Sequence, residues 1–129
     1  MLNTLDKQQA LAPYVAERTW IGFHRDPTDT ARWLWVDGSS ANYTNWAKEE
    51  PNNAGELCRE LCRENCVEMY PPSLVPAGKW NDTSCNTSLA YVCEITGESS
   101  MYESVTSVHM PPGISGAFFY IVHRSGDRH

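Results

Sequence analysis

The chain has 129 residues, a hydrophobic content of 41% and a formal net charge of −6, with a pI of about 5.1. Its length fits a single domain, and its acidity argues against nucleic acid as a partner, because nucleic-acid binding needs a basic surface. No apolar run approaches the roughly 20 residues of a membrane span, and residues 1–7 contain no apolar signal-peptide core.

Local sequence signals predict a helix, a series of short strands and a tail. Residues 4–17 predict a packing helix with Thr4 as its cap, which Pro13 weakens or divides because proline lacks an N–H group. Residues 24–30 predict a polar loop. Short strands are expected at 19–23, 33–37, 67–70, 79–82 and 90–95.

The tryptophans are expected to build the core. All five lie between Trp20 and Trp80. Trp35 and Trp46 are interpreted as core residues rather than as platforms for stacking a sugar. Trp33 is expected on the same face as Trp35, because side chains two apart in a strand point the same way.

Two triplets contain oxygen-bearing side chains without sulfur or imidazole: Glu50-Pro51-Asn52 and Trp80-Asn81-Asp82. Hard oxygen ligands of this kind suit calcium better than zinc or copper. Pro51 stiffens the first triplet, and a cis bond before it would turn both flanking side chains the same way. Either triplet alone would also fit an ordinary surface loop.

The wider sequence resembles C-type lectin domains over about residues 5–95. The segments that carry the resemblance, in their order along the chain, are Trp20-Ile21-Gly22, Trp35-Val36-Asp37-Gly38, Asn45-Trp46, Cys66-Val67-Glu68, Trp80-Asn81-Asp82-Thr83-Ser84-Cys85 and Tyr91-Val92-Cys93-Glu94. The resemblance implies an α+β C-type lectin fold with a long calcium-binding loop region, whose first strand and first helix are missing here.

The resemblance also implies one Ca²⁺ site and its ligands. These ligands, which in the family also contact the carbohydrate, are Glu50, Asn52, a later glutamate, Asn81 and Asp82. The later glutamate is either Glu56, favoured by loop length, or Glu64, favoured by its position two residues before Cys66; Glu64 is preferred. Glutamate before the proline and asparagine after it resemble the mannose-type pattern, which selects mannose, N-acetylglucosamine, glucose or fucose.

The binding loop contains an insertion. Residues 57–64 continue a four-residue repeat, and removing them leaves a string typical of the family. Four-residue spacing places Cys58, Cys62 and Cys66 on one helical face. An extra disulfide or reactive thiols are the favoured interpretation, and a zinc site is the alternative.

The cysteine count of five is odd, so the cysteines cannot all pair within one chain. The resemblance implies a Cys66–Cys85 disulfide and leaves Cys93 without its usual partner. Disulfides imply an extracellular or secreted protein. Because the chain lacks a signal peptide and the family's first elements, it is interpreted as a fragment or isoform.

The chain is divided into a lectin-like domain at residues 1–96 and a tail at 97–129 outside the resemblance, which is expected to be partly disordered. The tail contains an uncharged run rich in β-formers, Ala117–Val122. Because the family's first strand is missing, we expect this run to pair with the closing strand at 90–95; a disordered tail is the alternative.

The expected function is calcium-dependent binding of glycans or glycoproteins, and the sequence leaves the oligomeric state undefined. The alternative is a calcium-independent protein-interaction module on a lectin-like scaffold. A hydrolase is disfavoured, because the histidines are scattered and calcium ligands are not free for acid–base work. No enzyme activity is expected. The resemblance also places Asp26 and Asp29 near positions where some relatives bind a second calcium, with the uncharged Asn53 and Asn65 at other positions of that site. A solvated acidic turn is the favoured interpretation, because fewer carboxylates mean weaker calcium binding.

Overall fold

A computed structural model describes residues 2–53, 63–96, 105–109 and 117–122. This part of the chain forms one short α-helix and a seven-stranded sheet, which confirms the predicted α+β class. No helix within it is long and apolar enough to cross a membrane. The elements are α1 Leu5–Leu11, a 3-10 turn Ala12–Tyr14, β1 Thr19–Asp26, β2 Asp29–Trp35, β3 Cys66–Met69, β4 Trp80–Thr83, β5 Ala90–Thr96, β6 Val105–His109 and β7 Ala117–Val122.

Helix α1 is shorter than the sequence predicts. Thr4 caps it as expected, because its hydroxyl accepts a hydrogen bond from the Lys7 N–H at 3.2 Å. The α-helix ends at Leu11, and the following 3-10 turn contains Pro13. Proline therefore ends this helix rather than merely weakening it.

The side chain of Gln8 attaches α1 to the sheet. Its Nε2 donates to the Gly78 carbonyl oxygen at 2.8 Å, and its Oε1 accepts from the Trp80 indole N–H at 2.9 Å. Both bonds are buried, so the amide satisfies an indole that would otherwise lose its partner inside the core. The helix thus holds the start of β4.

The predicted polar loop at residues 24–30 is wrong at both ends. Strand β1 continues to Asp26 and β2 begins at Asp29, so only Pro27 and Thr28 connect them. The Asp26 carboxylate accepts from the Thr28 N–H and from its hydroxyl, both at 2.8 Å. The first half of β2 is exposed, which allows a strand there despite its polar composition.

The sheet has the order β4-β3-β1-β5-β7-β6, and β2 pairs with β1 off this path. All pairs are antiparallel except β1 with β5. The register between β3 and β4 sets Val67 opposite Asp82 and Glu68 opposite Asn81. It therefore brings the second oxygen-bearing triplet to a fixed place beside β3.

The core is largely aromatic. Trp35, Trp80 and Phe23 are almost completely buried, with ring centroids 4.5 Å apart for Phe23–Trp35 and 5.8 Å for Trp35–Trp80. Trp33 and Trp46 are partly buried against this cluster, 5.1 Å apart. The core positions expected for Trp35 and Trp46 are thus confirmed.

The tail adds two strands to the sheet. Strand β7 pairs along the whole of β5, from Tyr91 opposite Val122 to Thr96 opposite Ala117, and β6 pairs with β7. This confirms the expectation that Ala117–Val122 lies beside the closing strand. β6 was not predicted, and Pro111-Pro112-Gly113 lies outside the described residues.

Candidate functional site

The loop that carries the first triplet is fixed to β4 by backbone hydrogen bonds. The Ala47 N–H donates to the Trp80 carbonyl at 2.9 Å, and the Trp80 N–H donates to the Asn45 carbonyl at 2.9 Å. The Glu50 N–H then donates to the Ala47 carbonyl at 3.0 Å, which closes a turn. The loop is therefore held against the buried start of β4 before it reaches the site.

The two residues that flank Pro51 face each other. The Glu50–Pro51 peptide bond is cis, and Asn52 Nδ2 donates to Glu50 Oε2 at 3.3 Å. Glu49 and Asn53 adopt positive φ angles of 67° and 47°. Asn is among the residues that tolerate this left-handed conformation, and at Asn53 the chain turns towards β4.

Asp82 is the centre of the site. Its side chain is fully buried, and its two carboxylate oxygens accept from the N–H groups of Asn52 at 3.1 Å and Asn53 at 2.7 Å. These bonds hold the loop against β4. Each carboxylate oxygen can accept more than one bond, so Asp82 retains acceptor capacity beyond these two bonds.

Glu50 lies beside this buried carboxylate. Burial raises the pKa of Glu50, the neighbouring carboxyls of Asp82 and then Glu64 raise it further, and it reaches about 7. Its Oε1 is buried and has no hydrogen-bond partner among the described residues. A bound cation would satisfy this oxygen and favour the charged carboxylate, so the donor chemistry fits a divalent metal.

The structure brings Glu64 to the same place. Its N–H donates to Asn53 Oδ1 at 2.9 Å, and its carbonyl accepts from Arg25 Nη2 at 3.2 Å. Its carboxylate is close enough to Glu50 to raise the pKa of that residue. The alternative ligand, Glu56, lies outside the described residues, as do Cys58 and Cys62 of the predicted helical repeat.

We call the five predicted ligands the acidic site: Glu50, Asn52, Glu64, Asn81 and Asp82. Four of them are linked by hydrogen bonds or charge, and Asn81 joins them as the residue before Asp82 on β4. In the part of the chain that the structure describes, no three carboxylate, imidazole or thiol side chains converge as metal ligands. A metal here would therefore depend on amide and carbonyl oxygens as well as carboxylates.

Two residues of this region were missed from the sequence. Arg25 Nη2 lies 3.5 Å from Asp82 Oδ2, and its guanidinium stacks over the Trp33 ring at 4.3 Å. Asn53, considered only for a second calcium, supplies both an N–H to Asp82 and an acceptor to Glu64. The asparagine directly after the triplet was a usable signal, whereas nothing local in the sequence indicates Arg25.

The residues considered for a second calcium are used differently. Both carboxylates belong to the β1–β2 hairpin, where Asp26 accepts from Thr28 and Asp29 Oδ1 accepts from the Ala31 N–H at 3.2 Å. The hydrogen bonds from Thr28 lower the pKa of Asp26. This arrangement favours the interpretation of an acidic turn.

Residues 2–95 match the family described as the lectin C-type domain. The chain belongs to this family. A C-type lectin of Bungarus fasciatus, BfL-2, is 36% identical over 92 residues, covering 65% of this chain and 51% of that protein. A C-type lectin mannose-binding isoform of Oxyuranus scutellatus is 34% identical over 92 residues, with the same two coverages.

A solved structure shares the fold of this C-type lectin domain. The carbohydrate-recognition domain of the mouse scavenger receptor C-type lectin matches with a TM-score of 0.57 and 23% identity, covering 97% of this chain and 71% of that one. The chain spans about half the length of the two curated relatives above. The family consists of lectins, which are in general binding proteins without enzymatic activity.

The cysteines of this lectin domain follow the pattern that the resemblance implies. A disulfide joins Cys66 at the start of β3 to Cys85 after β4, with Cα atoms 5.1 Å apart. It ties together the two strands that carry Asp82 and its neighbours. Cys93 on β5 is a free thiol, and burial raises its pKa.

Proposed function

We propose that this C-type lectin domain binds Ca²⁺ at the acidic site and uses it to hold a mannose-type carbohydrate. The observation that carries the proposal is the Glu50 carboxyl, held beside buried Asp82 with one oxygen unpartnered and a pKa of about 7. Two neighbouring carboxylates, one of them buried, repel each other, and a bound divalent cation would lower that cost further than Arg25 does from 3.5 Å away from Asp82.

The residues of the acidic site have two roles in this proposal. Asp82 and the backbone N–H groups of Asn52 and Asn53 fix the loop. Glu50, Asn52, Glu64, Asn81 and Asp82 supply the oxygen atoms. Calcium accepts 6–8 oxygens, so these side chains leave positions that two sugar hydroxyls could fill.

The sugar preference follows from the chemistry of the two residues around Pro51. Glutamate only accepts hydrogen bonds, whereas the asparagine amide can donate through nitrogen while its oxygen faces a metal. Asn52 Nδ2 is already directed to the Glu50 side at 3.3 Å, so donor and acceptor are held next to each other. A relative named as a mannose-binding isoform supports the mannose preference, which by the chemistry of Glu50 and Asn52 extends to N-acetylglucosamine, glucose or fucose.

The setting is proposed to be extracellular or secretory, with glycans or glycoproteins as partners and no catalytic role. The disulfide between Cys66 and Cys85 supports an oxidising compartment.

Calcium titration followed by thermal melting and mannose-resin chromatography tests the proposal. At free calcium 100-fold above Kd, linkage predicts that the free energy of unfolding increases by about 2.7 kcal/mol, so the melting temperature rises. Mannose resin should retain the protein in calcium and release it in EDTA, while galactose resin is the control. Retention that survives EDTA, or melting that is insensitive to calcium, would contradict the proposal and favour the protein-interaction alternative.

A further inference from the structure

A cleft of about 590 Å³ opens beside the disulfide, next to the acidic site. Its volume lies in the range of sites that hold small ligands. We call it the basic cleft. The polar side chains that line it, among the described residues, are His24, Arg25, Asp26, Asn53, Arg63 and Asn65.

Among the described residues that line the cleft, cationic side chains outnumber carboxylates, although the chain as a whole carries −6. Arg25, which also contacts Asp82 at 3.5 Å, and Arg63 line it together with one described carboxylate, that of Asp26. That carboxylate is bonded to Thr28 in its own hairpin, and its other oxygen lies 4.0 Å from Arg32 Nη1. Asp26 is thus already satisfied by groups outside the basic cleft.

One of the two guanidinium groups is held in a fixed orientation. Arg25 Nη1 donates to the Thr30 carbonyl at 2.8 Å, and its plane lies over the Trp33 ring. Because the arginine is held before any ligand arrives, little side-chain entropy remains to be lost on binding. Arginine is also the side chain best suited to the oxygens of sulfate and phosphate groups.

The basic cleft and the acidic site share a wall. Arg25 and Asn53 line the cleft, and both contact the Asp82 carboxylate, at 3.5 Å and 2.7 Å. A sugar bound at Glu50 and Asn52 would therefore have a positively charged recess beside it. A carboxylate group on the ligand would offer two oxygens in one plane, whereas a sulfate or phosphate ester offers three in a tetrahedral arrangement. Three acceptor oxygens suit two arginines and a neighbouring amide better.

We propose that the basic cleft binds a tetrahedral oxyanion substituent, a sulfate or phosphate ester, on the glycan held at the acidic site. Binding of the sugar part of the ligand rests on the proposed function, whereas binding of the oxyanion itself does not. It makes the domain a receptor for charged glycans and assigns to Arg63, which no motif of the sequence singled out, a role in specificity.

Calorimetric titration in saturating calcium tests this with three probes: N-acetylglucosamine, its 6-sulfate and its 6-phosphate. We expect the preferred ester to bind about tenfold more tightly than the plain sugar, which corresponds to about 1.4 kcal/mol. The relative affinities of the two esters distinguish sulfate from phosphate. Equal affinity for all three probes would overturn the proposal.

The decisive variant is Arg63→Gln, with Lys79→Gln as a control of equal charge change. Lys79 is exposed, donates to Asn45 Oδ1 at 3.0 Å and does not line the basic cleft. Arg63→Gln should bring the affinity for the ester to within about twofold of that for the plain sugar, whose own affinity stays unchanged. Arg63→Lys, which keeps the charge but loses the planar guanidinium group, should be intermediate. A preference for the ester that survives Arg63→Gln, or is lost equally in Lys79→Gln, would refute the assignment.

A calcium-free experiment separates failure of this proposal from failure of the proposed function. Inorganic sulfate and phosphate are titrated while the imidazole resonances are followed by NMR, with the His24 signal assigned through His24→Gln. A saturable shift of the His24 signal that Arg63→Gln removes supports the basic cleft, even if no sugar binds. Absence of that shift in the unmodified protein would rule the cleft out as an oxyanion site.

Discussion

The acidic site and the basic cleft lie on either side of Arg25. Carboxylates gather in the acidic site, whereas arginines line the basic cleft. On one side, Glu50 and Asp82 crowd together, and the pKa of Glu50 rises to about 7. On the other, two arginines line a recess, and the one carboxylate among its described lining residues is bonded to its own turn. The same short stretch of sheet can therefore present a cation site and an anion site, because Arg25 and Asn53 separate the two charges.

The largest expected effect comes from removing the carboxylate that both regions contact. Asp82→Asn should abolish calcium binding and weaken folding by about 1.5–3 kcal/mol, since a buried acceptor of two loop N–H groups loses its charge. Thermal melting with and without calcium measures both effects. Asp37→Asn is the control, because Asp37 also accepts bonds from a turn, at Ser39, but in an exposed loop. Calcium-dependent melting in Asp82→Asn would show that the acidic site is wrongly assigned.

The next effect concerns the sugar. The double change Glu50→Gln with Asn52→Asp moves the hydrogen-bond donor to the other side of Pro51 without changing the formal charge. We expect it to retain calcium and to reverse the preference from mannose to galactose on a glycan array. Glu49→Gln with Asn42→Asp, at two exposed positions, makes the same exchange outside the acidic site and should change nothing. A preference for galactose in the unmodified protein would refute the mannose assignment.

A smaller effect distinguishes the two regions by pH. Because the pKa of Glu50 is raised to about 7 without calcium, its proton must leave when the metal binds. Calcium affinity should therefore rise with pH through 7 and fall by up to about tenfold per unit below it. Sulfate binding in the basic cleft should not weaken over the same range, since arginine does not titrate there.

Isothermal titration at pH 6, 7 and 8 measures both affinities. Glu50→Gln, which cannot release a proton, is expected to have weaker but less pH-dependent calcium binding. If the unmodified protein bound calcium equally at all three values, Glu50 would not be a ligand.

The smallest effect is expected at the hairpin. Asp26→Asn keeps one acceptor oxygen for Thr28 and should leave the number of bound calcium ions per chain unchanged. Equilibrium dialysis with radioactive calcium counts them. Loss of a bound ion in this variant would place a second calcium in the basic cleft and would remove the contrast in charge between the two regions.

Much of the fold and part of the site were accessible from the sequence, because the relevant signals are local. Strands β3, β4 and β5 coincide with short segments that carry the family resemblance and were located to within one or two residues. The pairing of Glu50 and Asn52 across Pro51 follows from one triplet. The hairpin from β1 to β2 was missed because half of β2 is exposed and polar, so composition resembles a loop.

The remaining features depend on how distant strands align. The register of β1 against β2 shifts between Arg25 and Asp26, and it is Arg25 whose side chain contacts Asp82. The family resemblance made Asp26 and Asp29 candidate ligands for a second calcium there, with an acidic turn as the favoured interpretation. A cationic recess inside an acidic chain could be recognised only once the disulfide, the hairpin and the loop were placed together.

The parallel pairing of β1 with β5 has a consequence for how the chain is made. β1 emerges from the ribosome before β5, β6 and β7, which are the last of the described strands to be made. Until β5 is made, Thr19 and Trp20 at one edge of β1 lack their partners Ala90 and Tyr91, and pairing across such a sequence distance is intrinsically slow. We expect the sheet to be completed only after synthesis of the C-terminal strands, so the nascent chain depends on chaperones while that edge is open.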